Sequence, residues 1–198
     1  MAITSNGGAA TAETIVETYD FAADGSSNSV TFADCFTAGK NYLLRIRKVL
    51  IATGTNPYRL QFGVSGTPNT SSKYASTCDL IESGGTARDF NNLTGSSSIN
   101  LTNNLGVGGQ SVFGDSYIDV LILDPAAGEG NSINLSVSNG QFKWLDQSTA
   151  PARSYKLDGS YTFLRTSPDD ITPTDLVFLS GSATEFVEGT ITLIELDS

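Results

Sequence analysis

An all-β, antiparallel fold follows from three features of this chain. Apolar residues recur with period two or in short runs, and clusters of Gly, Asn, Ser, Pro and Asp separate those runs. No window carries an apolar stripe at helical spacing, so little or no helix is expected. At 198 residues the chain has the size of one β-sandwich or barrel. No linker and no repeat of fixed period divides it. The expectation is a single sandwich domain over 1–198, with 1–13 as a possible extended N-terminal arm.

Taken in order, strands are predicted over 14–21, 30–36, 42–52, 58–64, 98–101, 117–123, 133–137, 142–145, 160–165, 176–180 and 190–196. Asp24-Gly25 sits between the first two and can adopt the positive φ of a hairpin turn. In the third, Leu44 and Ile46 share one side against Arg45, Arg47 and Val49, which predicts a change of environment through a bulge near Lys48. The segment 66–97 is the longest polar stretch. Interrupted by Leu80, Ile81 and Phe90 and holding Gly84-Gly85, it reads as a long excursion or a pair of short edge strands. Alternation is clearest in Ile133, Leu135 and Val137, whose intervening Asn134 and Ser136 mark a wet face. Asn139-Gly140 and Asp158-Gly159 carry the same turn chemistry as Asp24-Gly25, and hairpins imply antiparallel pairing. The chain closes on strand, polar turn and strand (175–198), so its end is expected to lie within a sheet.

Composition narrows the function. The apolar fraction is 39% and the charged fraction 16%, so neutral polar side chains carry much of the solubility. Eleven basic against 21 acidic residues leave a net charge of -10, which repels a phosphate backbone and an anionic membrane surface alike. Neither nucleic acid nor membrane is an expected partner. Beyond Arg165 there is no Lys or Arg while Asp169, Asp170, Asp175, Glu185, Glu188, Glu195 and Asp197 remain, which reads as a solvated acidic face. The N-terminus has no basic and apolar segments of an export signal, and no apolar run reaches the roughly 18 residues of a membrane span. Cys35 and Cys78 lie in no ligand spacing and read as small buried residues.

The chain contains no histidine, which removes Ser-His-Asp and Cys-His nucleophile systems and HExxH zinc sites. The Gly-rich run 105–110 lacks the lysine of a phosphate loop. Paired carboxylates can act on sugars without histidine, and Asp115 with Asp119, or Glu185 with Glu188, are the pairs to place. Asp20 with Asp24 and Asp124 with Glu129 are the loop oxygens that could hold calcium, without EF-hand spacing. The reading that fits best is a non-enzyme without cofactor or metal. Trp144, Tyr74, Tyr58 and Tyr155 can stack on sugar rings if exposed, or fill a sandwich core if buried. Arg45 and Arg47, with Lys48, stand out against the acidic background and can either dock on an acidic neighbour or pair with local acids.

Several segments, in order, resemble bacteriophage virion proteins of the tail, fibre or head-decoration type. They are Lys40-Asn-Tyr-Leu-Leu-Arg-Ile-Arg-Lys-Val-Leu-Ile-Ala52, Tyr58-Arg-Leu-Gln-Phe-Gly-Val-Ser-Gly66, the Gly-rich turn and strand from Leu105 to Pro125, and Gly-Thr-Ile-Thr-Leu at 189–193. The resemblance implies a jelly-roll-like β-sandwich that serves as a structural protein of the virion. It would be made in the host bacterial cytoplasm, and its partners would be capsid or tail proteins and copies of itself. Assembly is expected through sheet edges and loops. The alternative is a receptor- or carbohydrate-binding module of a tail fibre, with a host surface glycan as partner.

Overall fold

The computed structural model describes residues 13–52, 57–82, 88–102, 116–127, 132–144, 153–165, 171–181 and 183–197, with backbone alone for 82, 88–93, 142–144 and 153. Thirteen strands run through them and every pairing is antiparallel, with no helix among the described residues. They are β1 (Glu13–Asp20), β2 (Ser29–Phe32), β3 (Asn41–Ile51), β4 (Tyr58–Val64), β5 (Thr67–Pro68), β6 (Tyr74–Glu82) and β7 (Arg88–Ser96). The others are β8 (Ile99–Asn100), β9 (Tyr117–Leu123), β10 (Ile133–Trp144), β11 (Arg153–Phe163), β12 (Asp175–Ser180) and β13 (Phe186–Leu196).

Two sheets form. The larger has the order β1-β13-β3-β9-β10-β11-β6-β7, and the smaller β2-β12-β4-β5 with β8 also paired to β4. Successive strands from β1 to β4 alternate between sheets, and β9, β12 and β13 do the same on the way back. The nested sets β1-β13-β3-β9 and β2-β12-β4-β8 are the two four-stranded sheets of a double Greek key, the jelly roll. Two insertions decorate it: β5 to β7 between β4 and β8, and β10 with β11 between β9 and β12. Apart from β5, they extend the large sheet beyond β9.

The core lies between the sheets, where alternate residues of facing strands meet. Phe186 of the large sheet stacks on Phe178 of the small one at 4.9 Å and meets Phe21 at 5.1 Å, while Tyr58 approaches Phe178 at 5.4 Å. Farther along, Phe62 of the small sheet meets Phe163 of the large one at 5.6 Å, and Tyr74 packs on Phe163 at 4.7 Å. Each such ring pair adds about 0.5–1.5 kcal/mol to the burial of its area. The buried hydroxyls stay bonded: Tyr58 donates to the Val49 carbonyl at 2.6 Å, Tyr74 to that of Asn69 at 2.9 Å and Tyr161 to that of Leu101 at 2.9 Å. Both cysteines are buried and form no disulfide, and burial pushes the Cys35 thiol up to about 12.

The bulge expected near Lys48 is there. Leu50 pairs with Glu188 and Arg47 with Thr190, so Lys48 and Val49 oppose the single Gly189. Tyr42, Leu44 and Ile46 point inward before it, Val49 and Ile51 after it, so Val49 leaves the side of Arg45 and Arg47. Lys48 and Gly189 both have positive φ, and a Cβ on Gly189 would lie 2.4 Å from the Lys48 carbonyl oxygen.

Four expectations need correcting. Asn139-Gly140 is no hairpin turn: β10 runs unbroken from Ile133 to Trp144 and bulges there, with Asn139 at positive φ and its N–H bonded to the Asp158 carboxylate at 2.8 Å. Asp158-Gly159 lies inside β11, and the glycine is there because the Tyr161 ring lies across it, within 2.7 Å of where a Cβ would stand. Strand β2 ends at Phe32, since the Cys35 and Phe36 N–H groups turn to the Thr174 carbonyl, at 2.8 and 3.3 Å. The polar stretch 66–97 holds two nine-residue strands, β6 in the sheet interior and β7 at its edge.

Candidate interaction face

The feature that the fold does not require is on the outside of the large sheet. Ladder pairing lines up one row across seven strands: Ile15, Ile194, Leu43, Leu121, Ser136, Ser160 and Thr77. The last six point away from the core, because their strand neighbours Leu193, Leu44, Val120, Leu135, Tyr161 and Cys78 are the buried ones, and Ile15 joins them through its pairing with Ile194. The row is apolar over β1-β13-β3-β9 and hydroxyl-bearing over β10-β11-β6. The next row is mixed, with Glu13, Leu196, Asn41 and Leu123 on one half and Asn134, Thr162 and Ala75 on the other. Ile15 is 65% exposed and Leu123 44%.

On the other flank of this apolar block lie Thr18, Thr192, Arg45 and Asp119, and beyond them Thr190, Arg47 and Tyr117. The sequence placed Arg45 and Arg47 between an acidic neighbour and local acids, and local acids hold them. Arg45 reaches the Glu13 carboxylate with both terminal nitrogens, at 3.1 and 2.9 Å. Arg45 and Glu13 lie in the rows on either side of Ile194, and their bridge crosses over it. Ile194 is 1% exposed although it points outward. Arg47 pairs with Asp119 and lies 5.9 Å from the centre of the Tyr117 ring, which is 43% exposed.

The other predicted residues are dispersed. Tyr58 and Tyr74 are fully buried, so neither ring can stack on a sugar, and burial raises both phenols above their ordinary range. Tyr155 is 7% exposed. Trp144 closes β10 opposite Arg153, and its side chain is outside the described residues. Asp119 is engaged by Arg47, and Asp115 is outside the described residues. Glu185 accepts from Ser26 at 3.0 Å and Glu188 is exposed. Asp20 and Asp24 tie their own turn: Asp24 accepts from the Asp20 N–H at 2.8 Å, and Asp20 from the Ala22 N–H at 2.9 Å. Asp124 accepts from the Gly39 N–H at 2.8 Å, and Glu129 is outside the described residues. Among the described residues no group of three Asp, Glu or Cys side chains could hold a metal ion.

The acidic C-terminal stretch is not one solvated face. Asp169 and Asp170 are outside the described residues, Glu195 meets Lys40 at 3.5 Å, and Asp175 is wholly buried. Asp175 is a knot the sequence did not reveal. Its oxygens accept from the Asp34 N–H at 3.0 Å, the Thr174 hydroxyl at 2.7 Å and the Gly66 N–H at 2.5 Å. Asp34 and Gly66 are both at positive φ, so one carboxylate fastens two tight turns to the start of β12. Burial alone would raise its pKa, but these bonds outweigh it and hold the carboxyl below its ordinary range.

The apolar block was missed because it breaks the alternation used to find strands. Its signal is in the sequence as adjacent apolar pairs, Leu43-Leu44, Leu121-Ile122 and Leu193-Ile194, in strands that need only every second residue for the core. Comparison with known proteins returns no match: not to a family, not to a curated protein and not to a solved structure.

Proposed function

We propose that this chain is a non-enzymatic structural protein of a bacteriophage virion, a capsid-decoration or tail and fibre component. The observation that carries the reading is the strand order β1-β13-β3-β9 over β2-β12-β4-β8, since jelly rolls recur in viral capsid and lectin domains. The quoted sequence resemblance points the same way, and a chain of net charge -10 fits protein partners better than nucleic acid or membrane. It would be made in the host cytoplasm and act within the particle, beside capsid or tail proteins and copies of itself. Contacts through sheet edges fit less well than contacts through faces and loops. Strand β2 is short, β5 and β8 have two residues each, and β1 carries a bulge at Val16 and the inward-phased Glu17, devices that discourage edge pairing and leave the nine-residue β7 as the one long edge among the described residues.

Co-sedimentation of the purified chain with virions, isolated heads and isolated tails tests the proposal. Saturable binding to heads assigns a decoration role and binding to tails a tail role, whereas binding to none of the three refutes it. Among the described residues the glycan-binding alternative keeps one exposed ring, Tyr117, beside Arg47. A glycan array that gives no signal above a Tyr117→Ala control removes it.

A further inference from the structure

We propose that the apolar half of the large sheet's outer face is where a second copy of this chain docks, face to face. Five residues define it: Ile15, Leu43, Leu121, Leu196 and Leu123 on β1, β3, β9 and β13, set around Ile194, which lies beneath the Glu13–Arg45 bridge. The core is already supplied from β13, β3 and β9 by Leu193, Leu44, Val120 and Ile122, and Ile15 on β1 is 65% exposed.

Charge selects the occupant. A chain with 21 acids against 11 bases repels its own copy over most of its surface. On this face, among the described residues, most charges cancel locally, Glu13 against Arg45 and Asp119 against Arg47, with Asp20 and Glu188 left over toward one end. A strongly basic partner would find its match elsewhere on the molecule, whereas a copy of this face meets an apolar block flanked by paired charges. Arg47 and Tyr117 at its border are of the residue types that concentrate in interfaces.

The geometry suits stacking of two sheets. Four strands at about 4.8 Å and four outward rows at about 7 Å give a face of roughly 15–20 by 20 Å, to be packed about 10 Å from its mate. At about 300–400 Å² from each copy it is smaller than a stable interface, so a weak, reversible, concentration-dependent dimer is the expected form. The inference goes beyond the virion reading and does not depend on it, because it concerns the purified chain alone.

Sedimentation equilibrium of the full chain, from about micromolar to about millimolar, tests it. The expected result is a monomer–dimer equilibrium that Ile15→Lys and Leu123→Lys each weaken at least tenfold. Ser160→Lys, in the hydroxyl-bearing half of the same row, should leave it unchanged. Ile15 is so exposed that its variant should keep the native thermal melt. A native chain that stays monomeric throughout overturns the proposal, as does a dimer that Ile15→Lys and Leu123→Lys leave intact.

Discussion

The two halves of the large sheet share one inner face and differ on the outer one. Inside, β3 and β9 bury Leu44 and Val120 much as β10 and β11 bury Leu135 and Tyr161. Outside, the row that reads Ile15, Ile194, Leu43, Leu121 on the jelly-roll half continues as Ser136, Ser160, Thr77 on the inserted half. Folding requires the inner residues of both halves equally. The outer difference therefore reports something other than folding. The inserted half turns mainly hydroxyl, amide and charged groups outward, the Lys156–Asp158 pair among them, with Ala75 and Ile81 as apolar exceptions, while the jelly-roll half keeps branched apolar side chains between ion pairs.

Truncation on the two faces of one strand separates these roles most sharply. Leu44→Ala should cost about 2–5 kcal/mol in urea unfolding, as buried leucines do. Its neighbour Leu43→Ala, on the outer face of the same strand, should cost the dilute monomer about 1 kcal/mol or less. Equal losses at the two positions would mean that the outer row is core in all but direction.

Asp175 gives the next largest effect and sets the scale for a carboxylate that the fold does require. Replacing it with Asn leaves the N–H groups of Asp34 and Gly66 without one acceptor oxygen, at a cost of about 1–3 kcal/mol. Its folded pKa is lowered, so its contribution is present above the unfolded value of about 3.9 and is lost as pH falls through the folded value. Acid titration of stability should show that loss in the native chain and a shallower one in Asp175→Asn. Identical acid limbs would show that the knot is not what titrates.

Asp119→Asn, on the outer face, should cost the dilute monomer well under about 1 kcal/mol, and less at high salt, since the Arg47 pair is partly exposed. The smallest effect is expected from Thr77→Val in the hydroxyl-bearing half, within about 0.5 kcal/mol. A large loss there would mean that the inserted half also has structural work on its outer face.

Much of this architecture was legible in the residues. The strand β9 was read to its last residue, and the bulge at Lys48 announced itself because the apolar phase of β3 changes there. Strands β6 and β7 were hidden because β6 turns small or polar residues inward, Ser76 and Cys78 beside Tyr74 and Leu80, which leaves no clean alternation. Gly159 read as a turn although it makes room for a tyrosine ring two residues away, a contact that local sequence cannot signal. Of the site residues, Tyr58 and Tyr74 carried the same signal whether exposed or buried, and only their places opposite Phe178 and Phe163 decided between them. The acids that hold Arg45 and Arg47 come from two different strands, β1 beyond β13 and the adjacent β9, so no spacing along the chain pairs them.

Hydroxyl-radical footprinting of the chain at dilute and at high concentration tests most directly whether the two halves differ in role. The expected result is concentration-dependent protection of Ile15, Leu123 and Tyr117 on the jelly-roll half, with Ile81 on the inserted half equally reactive at both concentrations. Protection of Ile81 instead, or no protection on either half, would contradict it.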